Sequence, residues 1–397
     1  MVTAPLPDGG GPAPYATRGD DLALVLTGGG ARAAYQVGFL RCLARRYPDL
    51  RIPILVGVSA GAVNIAHLAA HPGTLPEAVA DLTDIWVNLE PRNVFRVDSP
   101  SLLLNALRWL GRLTLGGAMH GPQVRGLVDT RPLRDLLRRL WAPEGRITGI
   151  AENLERGRIK AVAVSATNYS TGQSVVWVQG RDIQPWTRPK RTSERTEIGI
   201  EHVMASSALP LFFPAVSIGD CWYGDGGIRL TAPLSPALHL GAGRILAIST
   251  RYERSDVEAA RPSTTGYPPP AQVFGVLLNA IFLDLIDEDA LRLRTLNHLL
   301  EDRPQAARAG LRRVELMVLR PSVDLGRLVS EYEARLPRGF RWFTRGLGTR
   351  ETTSPDILSL VMFQRDYLRR LIEIGEADAE ARAAELEAFL AAPVPAR

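Results

Sequence analysis

A serine between two glycines is the residue in this sequence whose setting most clearly indicates chemistry. The run Gly57-Val58-Ser59-Ala60-Gly61 follows an apolar segment at 54–56 and precedes a helical pattern that begins at Ala62. A strand, a sharp turn and a helix in this order form a nucleophile elbow, in which flanking glycines give the turn room to expose the hydroxyl. Because Gly-x-Ser-x-Gly also occurs in ordinary tight turns, the rest of the sequence must distinguish a nucleophile from a turn.

A second glycine run offers the groups that would stabilise negative charge next to a serine nucleophile. Gly28, Gly29 and Gly30 lie between an apolar segment and a helical pattern, so their backbone N–H groups and the helix N-terminus favour an oxyanion. The run also fits the dinucleotide fingerprint Gly-x-Gly-x-x-Gly/Ala, with Ala33 as its last residue. That fingerprint needs an acidic residue at the end of the next strand, whereas the nearby Asp49 precedes the strand. An oxyanion hole is therefore favoured.

The base that would activate the serine is predicted to be an aspartate. Asp225 lies among Gly224, Gly226 and Gly227, and a carboxylate accepts a serine proton when burial raises its pKa. An Asp-Gly pair is more commonly a simple turn, and a Ser–Asp–His triad is not formally excluded. No histidine, however, has the context expected of a base, because each lies in a helical pattern, too close to the elbow or without a supporting motif: His67, His71, His120, His202, His239 and His298.

Alternating apolar segments and helical patterns indicate the scaffold that positions these residues. Segments 21–27 and 52–57 predict buried strands, each followed by a glycine-containing turn and a helix. Two consecutive strand–helix units predict a doubly wound α/β sheet with ligands at the carboxyl ends of the strands. Later segments predict a hairpin (160–167 with 173–179), an exposed polar loop (181–197), two strands (244–250 and 313–320) and a helix at 355–374 that ends at Gly375.

Together, these residues resemble the patatin-like phospholipase family of lipid acyl hydrolases, over about residues 22–250. The resemblance implies a three-layer α/β/α fold with a central, mostly parallel sheet and a helix-rich C-terminal region. It rests on four blocks in the family's order: Gly28-Gly29-Gly30-Ala31-Arg32, Gly57-Val58-Ser59-Ala60-Gly61, Ala205-Ser206-Ser207-Ala208-Leu209-Pro210 with Phe213-Pro214, and Asp225-Gly226-Gly227.

The resemblance also implies a role for each of these residues. Ser59 would be the nucleophile of a catalytic Ser-Asp dyad and Asp225 its base, while the Gly28–Gly30 loop and Arg32 would form the oxyanion hole. It further implies hydrolysis of fatty-acyl esters of lipids, of the phospholipase or lysophospholipase type, through an acyl-enzyme and with neither metal nor cofactor. Two alternatives stay open: a general carboxylesterase on the same site, and a nucleotide-binding regulatory module that uses the glycine loop.

The amino-acid composition indicates which partners and metals to expect. Of 397 residues, 46% are hydrophobic and 22% charged, which is a globular balance, and the net charge is +5. We attribute the basic charge to compositional bias and solubility, and expect a lipid substrate but no nucleic-acid partner. Cys42 and Cys221 have no metal-ligand spacing, so no zinc site is expected.

The sequence also predicts how the chain is divided and where it meets membranes. We expect a flexible Pro/Gly-rich tail at 1–19, a catalytic domain at 20–250, and a helix-rich region at 251–397 that packs on the catalytic core. No uninterrupted apolar stretch of about 20 residues is present to span a bilayer. A cytoplasmic protein with the option of peripheral membrane contact is predicted, and the Arg-containing apolar segment 101–118 is the candidate lid or membrane contact.

Overall fold

The computed structural model describes residues 21–96, 126–142, 146–260, 267, 273, 275–277, 285–302, 311–335 and 356–391. The predictions for the 1–19 tail and the 101–118 segment therefore lie outside the described residues. In the parts of the chain given by these ranges, no helix is both long and apolar enough to cross a membrane.

A sheet of ten strands forms the centre of the described fold. The strands are β1 (Asp21–Leu26), β2 (Ile54–Val58), β3 (Ala161–Asn168), β4 (Gln173–Gly180), β5 (Thr187–Arg188), β6 (Arg191–Arg195), β7 (Val216–Ile218), β8 (Cys221–Asp225), β9 (Ala242–Ile248) and β10 (Glu315–Leu319). Their order is β10-β9-β1-β2-β3-β4-β6-β5, while β8 pairs with β3 and β7 with β8. The five strands from β10 to β3 are mutually parallel, and β4 and β8 run antiparallel to β3.

Helices cover both faces of this sheet. The α-helices of the described ranges are α1 (Ala34–Arg46), α2 (Ala60–Ala70), α3 (Leu75–Val87), α4 (Pro91–Val94), α5 (Arg131–Trp141), α6 (Thr148–Glu155), α7 (Ile200–Ser206), α8 (Ser235–His239), α9 (Asp256–Ala259), α10 (Leu285–Asp302), α11 (Leu325–Leu328), α12 (Asp356–Val361), α13 (Arg365–Ala381) and α14 (Ala383–Ala391). Short 3₁₀ helices at Gly30–Ala33, Gly226–Arg229 and Val329–Arg335 complete the set.

The strand β1 shows why the fold has three layers. Its side chains alternate between two buried clusters, with Leu24 and Leu26 in one and Ala23 and Val25 in the other. Because successive side chains of a strand point to opposite faces, the clusters lie on the two sides of the sheet. Helices α1, α2 and α13 contribute to the first cluster, and α8 and α10 to the second. The predicted α/β/α architecture with a mostly parallel sheet is confirmed.

Several predictions about local structure are wrong. The single helix predicted at 355–374 is two helices, α12 and α13. The segment 181–197, expected as a loop, contains β5 and β6, and β6 pairs in parallel with β4. Most side chains of these two strands are exposed or half-buried at the sheet edge. Their sequence is therefore polar and lacks the apolar pattern by which a strand is predicted. Gly375 does not end a helix but lies inside α13, where a Cβ would come within 2.0 Å of the Tyr35 carbonyl oxygen. Glycine is required there because α13 packs closely on α1.

The C-terminal region joins the core through the sheet as well as through helices. The strand β10 pairs in parallel with β9 and so extends the sheet past residue 250. On one face of the sheet, α13 packs on α1, where a Cβ at Gly38 would lie 1.9 Å from the Ile372 carbonyl oxygen. The division of the chain at residue 250 stays a prediction.

Candidate active site

Ser59 occupies a strained turn between β2 and α2. The strand ends at Val58, the helix begins at Ala60, and Ser59 itself has φ 56° and ψ −131°. A non-glycine residue in a sparsely populated region costs about 1–3 kcal/mol and is common at functional sites. The flanking glycines permit the turn, because a Cβ at Gly57 would lie 2.6 Å from the Gly61 carbonyl oxygen, and one at Gly61 would lie 2.3 Å from the Leu26 carbonyl oxygen. This is the strand–turn–helix setting that the sequence predicts.

The glycine loop 28–30 lies directly against the serine. A Cβ at Gly28 would be 3.0 Å from Ser59 Cβ, so a side chain here would crowd the hydroxyl. Gly29 and Gly30 have φ values of 148° and 54°, which favour glycine. Within the described ranges, the amide N–H groups of these three glycines have no hydrogen-bond acceptor. Such donors, beside a serine and at the start of a helix, suit a developing oxyanion.

Asp225 is fully buried at the end of β8, and not in a free-standing glycine turn as expected. Its backbone is held by two hydrogen bonds: its N–H donates to the Ala208 carbonyl oxygen at 3.0 Å, and its carbonyl oxygen accepts from Thr167 Oγ1 at 2.9 Å. Carboxylate Oδ1 accepts the Gly227 N–H at 2.9 Å. At the next residue, a Cβ on Gly226 would lie 2.2 Å from the Ser165 carbonyl oxygen of β3, so this close approach requires glycine.

The electrostatics of Asp225 suit a base near neutral pH. Burial raises the pKa of its carboxyl from 3.8 to about 7, while the Ser59 hydroxyl and the Gly227 N–H limit the rise by stabilising the charged form. Carboxylate Oδ2 has no hydrogen-bond partner among the residues that the structure describes. The serine hydroxyl is thus near the carboxylate without a hydrogen bond of standard geometry. Catalytic hydrogen bonds are often long before substrate binds.

The segment 206–208 connects the serine with the aspartate. Ser206 Oγ accepts the Ser59 N–H at 2.9 Å and donates to the Ser165 carbonyl oxygen at 2.7 Å. Ser207 Oγ donates to the Ser59 carbonyl oxygen at 3.0 Å, and Ala208 binds the Asp225 backbone. Sequence reasoning gave these serines no role, although they lie in a block that supported the family resemblance.

A comparison with protein families matches the patatin-like phospholipase model over residues 24–238. This range is more than half of the chain and contains the serine, the glycine loop and the aspartate. The chain belongs to the patatin-like phospholipase family. A comparison with curated proteins gave no match.

Solved structures of a human phospholipase and of two bacterial proteins are similar to this chain at low identity. Human GIVD cytosolic phospholipase A2, in complex with methyl gamma-linolenyl fluorophosphonate, is 14% identical with a TM-score of 0.44; the match covers 94% of this chain and 59% of that one. VipD from Legionella pneumophila is 13% identical with a TM-score of 0.31, and the match covers 90% of this chain and 67% of that one. The ExoU-SpcU complex from Pseudomonas aeruginosa is 16% identical with a TM-score of 0.29, and the match covers 94% of this chain and 77% of that one. This chain thus spans about three-fifths of the human protein.

Arg32, the remaining residue of the predicted oxyanion hole, is buried next to the glycine loop. Its N–H donates to the Gly29 carbonyl oxygen at 3.0 Å, and its side-chain Nε donates to Ser359 Oγ at 2.7 Å. Both donors named here are therefore engaged within the protein. A direct part for Arg32 in the oxyanion hole stays a prediction.

A deep apolar cavity opens beside Ser59. The space between atoms there is about 620 Å³, a figure that includes open solvent. It lies between α2, α3 and α5, and its lining is almost entirely apolar. The lining residues are Gly30, Ser59, Ala60, Val63, Leu82, Ile85, Trp86, Leu89, Val94, Leu133, Leu136, Leu137, Leu140, Trp141, Ser207, Phe213 and Phe363.

The described histidines have partners elsewhere in the fold. His67 Nε2 bonds the Ala78 carbonyl oxygen, His71 pairs with Asp81, and His202 Nδ1 accepts the Gly199 N–H. His239 stacks on Trp186, and the exposed His298 lies near Glu301. Burial lowers the pKa of His67, His202 and His239 to about 4. His120 lies outside the described residues, and among those described no group of three or more His, Cys, Asp and Glu side chains is arranged to hold a metal.

Proposed function

We propose that this protein is a lipid acyl hydrolase of the phospholipase or lysophospholipase type, which cleaves fatty-acyl esters with a Ser59–Asp225 dyad. The observation that carries the proposal is the buried Asp225 carboxylate, with Oδ2 unpartnered among the described residues, beside a serine at a nucleophile elbow. A base with a pKa of about 7 is matched to proton transfer near neutral pH. Family membership supports lipid ester hydrolysis in general.

The first half of the reaction forms an acyl-enzyme. As Ser59 Oγ attacks the ester carbonyl carbon, its proton passes to Asp225 Oδ2, and the carbonyl oxygen becomes an oxyanion. The N–H groups of the 28–30 loop, which lies against Ser59, and of Ala60 at the start of α2 would stabilise this charge. Each such donor contributes about 3–4 kcal/mol in the transition state. The tetrahedral intermediate then expels the alcohol, which takes the proton from Asp225.

The second half releases the fatty acid. Water donates a proton to Asp225 as it attacks the acyl carbonyl, the same N–H groups stabilise the second oxyanion, and collapse of the intermediate breaks the bond to Ser59 Oγ. The proton returns from Asp225 to the serine, so the enzyme is regenerated. The carboxylate acts as base and acid in turn, which explains why a pKa near 7 suits both steps better than the usual value of 3.8.

The cavity beside Ser59 supports a long acyl group as the substrate's recognised part. The described residues that line it are mostly aliphatic and aromatic, so a hydrocarbon chain would bury apolar surface there at about 25 cal/mol per Å². The ester carbonyl would then lie at the cavity mouth, where Ser59 and Gly30 form part of the lining.

The test is hydrolysis of p-nitrophenyl esters and of phospholipid vesicles by the purified protein and by matched variants. Ser59→Ala and Asp225→Asn are expected to lower kcat by at least about 10³-fold. Ser217→Ala and Asp220→Asn change exposed residues of the same types near β7 and β8 and should keep activity within about twofold. Activity that survives in Asp225→Asn would exclude the dyad.

Substrate preference separates the proposal from the two alternatives. A lipid hydrolase releases fatty acid from vesicles, whereas a general carboxylesterase acts on the soluble esters only. Binding of an adenine or nicotinamide nucleotide by a protein without esterase activity would favour the regulatory module. Peripheral membrane contact is checked by vesicle co-sedimentation of the full chain and of a variant lacking 101–118.

A further inference from the structure

Residues 358–363, here called the C-terminal strap, lie against the candidate active site. The strap comes more than a hundred residues after the end of the family match at residue 238. All six residues are buried, with exposed fractions of 0–6%. We propose that the strap is a working part of the active site, in which Ser359 positions the oxyanion loop through Arg32 and Phe363 shapes the acyl cavity. This inference rests on the proposed function.

The first contact joins Ser359 to the helix that follows the glycine loop. Arg32 Nε donates to Ser359 Oγ at 2.7 Å, and both residues are buried, with exposed fractions of 3% and 0%. Arg32 lies in the 3₁₀ helix that begins at Gly30, and its own N–H is bonded to the Gly29 carbonyl oxygen. The guanidinium thus links the strap to the loop. Buried polar contacts of this kind fix one arrangement of the groups that they connect.

The second contact is between main chains. A Cβ on Gly30 would lie 2.1 Å from the Leu360 carbonyl oxygen and 3.2 Å from Leu360 Cα. The strap therefore approaches the oxyanion loop so closely that no side chain fits between them. Oxyanion donors must lie about 2.7–3.1 Å from the developing charge, and a displacement of about 1 Å in an active site costs about 10²-fold in rate. A strap that fixes Gly30 would thereby control the rate.

The third observation is that Phe363 lines the same two cavities as Ser59. Phe363 lines the cavity beside Ser59 and also a second, smaller cavity, which includes Gly29 and Leu360 in its lining. Ser59 and Phe213 also line both cavities. The Phe363 ring packs edge-on against Phe95, with centroids 6.2 Å apart. Since Phe363 lines both cavities, we assign its ring as the wall between them.

The role of Ser359 is tested by the kinetics of Ser359→Ala on p-nitrophenyl butyrate. We expect kcat to fall about tenfold with KM unchanged, because a displaced oxyanion loop weakens only the transition state. Arg32→Lys removes Nε from the same contact and should act alike, and Ser359→Ala should add little in the Arg32→Lys background. Ser330→Ala removes an exposed hydroxyl elsewhere in the C-terminal region and should leave kcat within about twofold.

Several outcomes would contradict this role. A wild-type kcat in Ser359→Ala, or full additivity of the two substitutions, means that the contact is structural only. Equal losses of kcat in Ser359→Ala and Ser330→Ala would mean that the region is merely sensitive to mutation. Thermal unfolding of each variant identifies a loss of rate that comes from unfolded protein; in that case Arg32→Lys, which leaves the strap intact, decides the question.

The role of Phe363 is tested by chain-length preference. Phe363→Ala should change the ratio of kcat/KM for p-nitrophenyl palmitate to that for the butyrate by about tenfold, because it opens one cavity into the other. Phe389→Ala removes a half-buried ring that packs on the core from α14, away from the cavities, and should leave the ratio unchanged. The same ratio in Phe363→Ala as in wild type would overturn the assignment.

Failure of the proposed function gives a different pattern. If the wild-type protein shows no Ser59-dependent hydrolysis, the proposed function and the role of Ser359 fail together. Whether Phe363 separates the two cavities is then tested by binding of the fluorescent fatty acid cis-parinaric acid. A dissociation constant that changes about fivefold or more in Phe363→Ala, but not in Phe389→Ala, supports the wall, and unchanged binding in both excludes it.

Discussion

Replacement of Asp225 by asparagine should make the protein more stable at alkaline pH while it abolishes activity. The carboxyl has a pKa of about 7 in the folded protein against an ordinary value of 3.8, a rise of about 3 units. At about 1.36 kcal/mol per unit, the folded state loses about 4 kcal/mol when this group is ionised. Asparagine carries no charge and its Oδ1 still accepts the Gly227 N–H, so it avoids this loss.

The direction of this change in stability with pH follows from proton binding. Because the folded state holds the proton more tightly than the unfolded state, the contribution of Asp225 to stability is complete below pH 3.8 and is lost as pH rises to about 7. Between pH 5 and 8, the wild-type protein should lose about 3 kcal/mol that Asp225→Asn does not lose. With an unfolding entropy of about 2.1 cal/mol/K per residue, the loss corresponds to about 3–4 °C in Tm.

The assay is thermal unfolding of both proteins at half-unit steps from pH 5 to 8. The difference in Tm, variant minus wild type, should increase by about 3–4 °C across this range and level off above pH 7. Asp220→Asn replaces an exposed carboxylate and should give a curve parallel to the wild type. Parallel curves for Asp225→Asn as well would refute the argument that burial of Asp225 destabilises its charged form.

Three further predictions concern rate, positioning and packing. The kcat/KM for a neutral ester should rise with pH and level off above about pH 7, since the base must be ionised; a profile without an inflection near pH 7 contradicts the role of Asp225. Ser206→Ala should lower kcat about tenfold, because Ser206 Oγ holds the Ser59 N–H, and an unchanged kcat would show that the elbow keeps its geometry without this bond. Gly375→Ala should lower the free energy of unfolding by about 1–3 kcal/mol, because its Cβ would meet the Tyr35 carbonyl oxygen; a Tm equal to the wild type would mean that α13 can move away from α1.

The sequence predicts the nucleophile elbow and the glycine loop because both depend on local backbone requirements. Ser59 needs a sharp turn with glycines on either side, and Gly29 and Gly30 need positive φ, so each motif is written in consecutive residues. The strands that precede them can also be predicted from the sequence, since β2 and all of β1 after Asp21 are apolar. The Asp225-Gly226-Gly227 block predicts Asp225 as the base. Neither its position at the end of β8 nor its complete burial, however, can be read from the neighbouring residues.

The remaining parts of the candidate site depend on residues that are distant in the sequence. Ser206 is 147 residues from the serine whose backbone it holds, and Ser359 is 327 residues from Arg32. Buried serines in helices have no pattern that distinguishes them from ordinary small residues. The same limitation explains Gly375, which was predicted to end a helix: glycine ends helices often, and only the close approach of α1 reveals that it serves packing here.

We propose that Ser59 is a nucleophile activated by Asp225. The most direct test is the rate at which a long-chain alkyl fluorophosphonate modifies the protein, followed by intact mass and peptide mass spectrometry. We expect a single adduct on Ser59 in the wild-type protein, no adduct in Ser59→Ala, and labelling slowed by at least about 10²-fold in Asp225→Asn. An adduct on another residue, or equally fast labelling of Asp225→Asn, would contradict it.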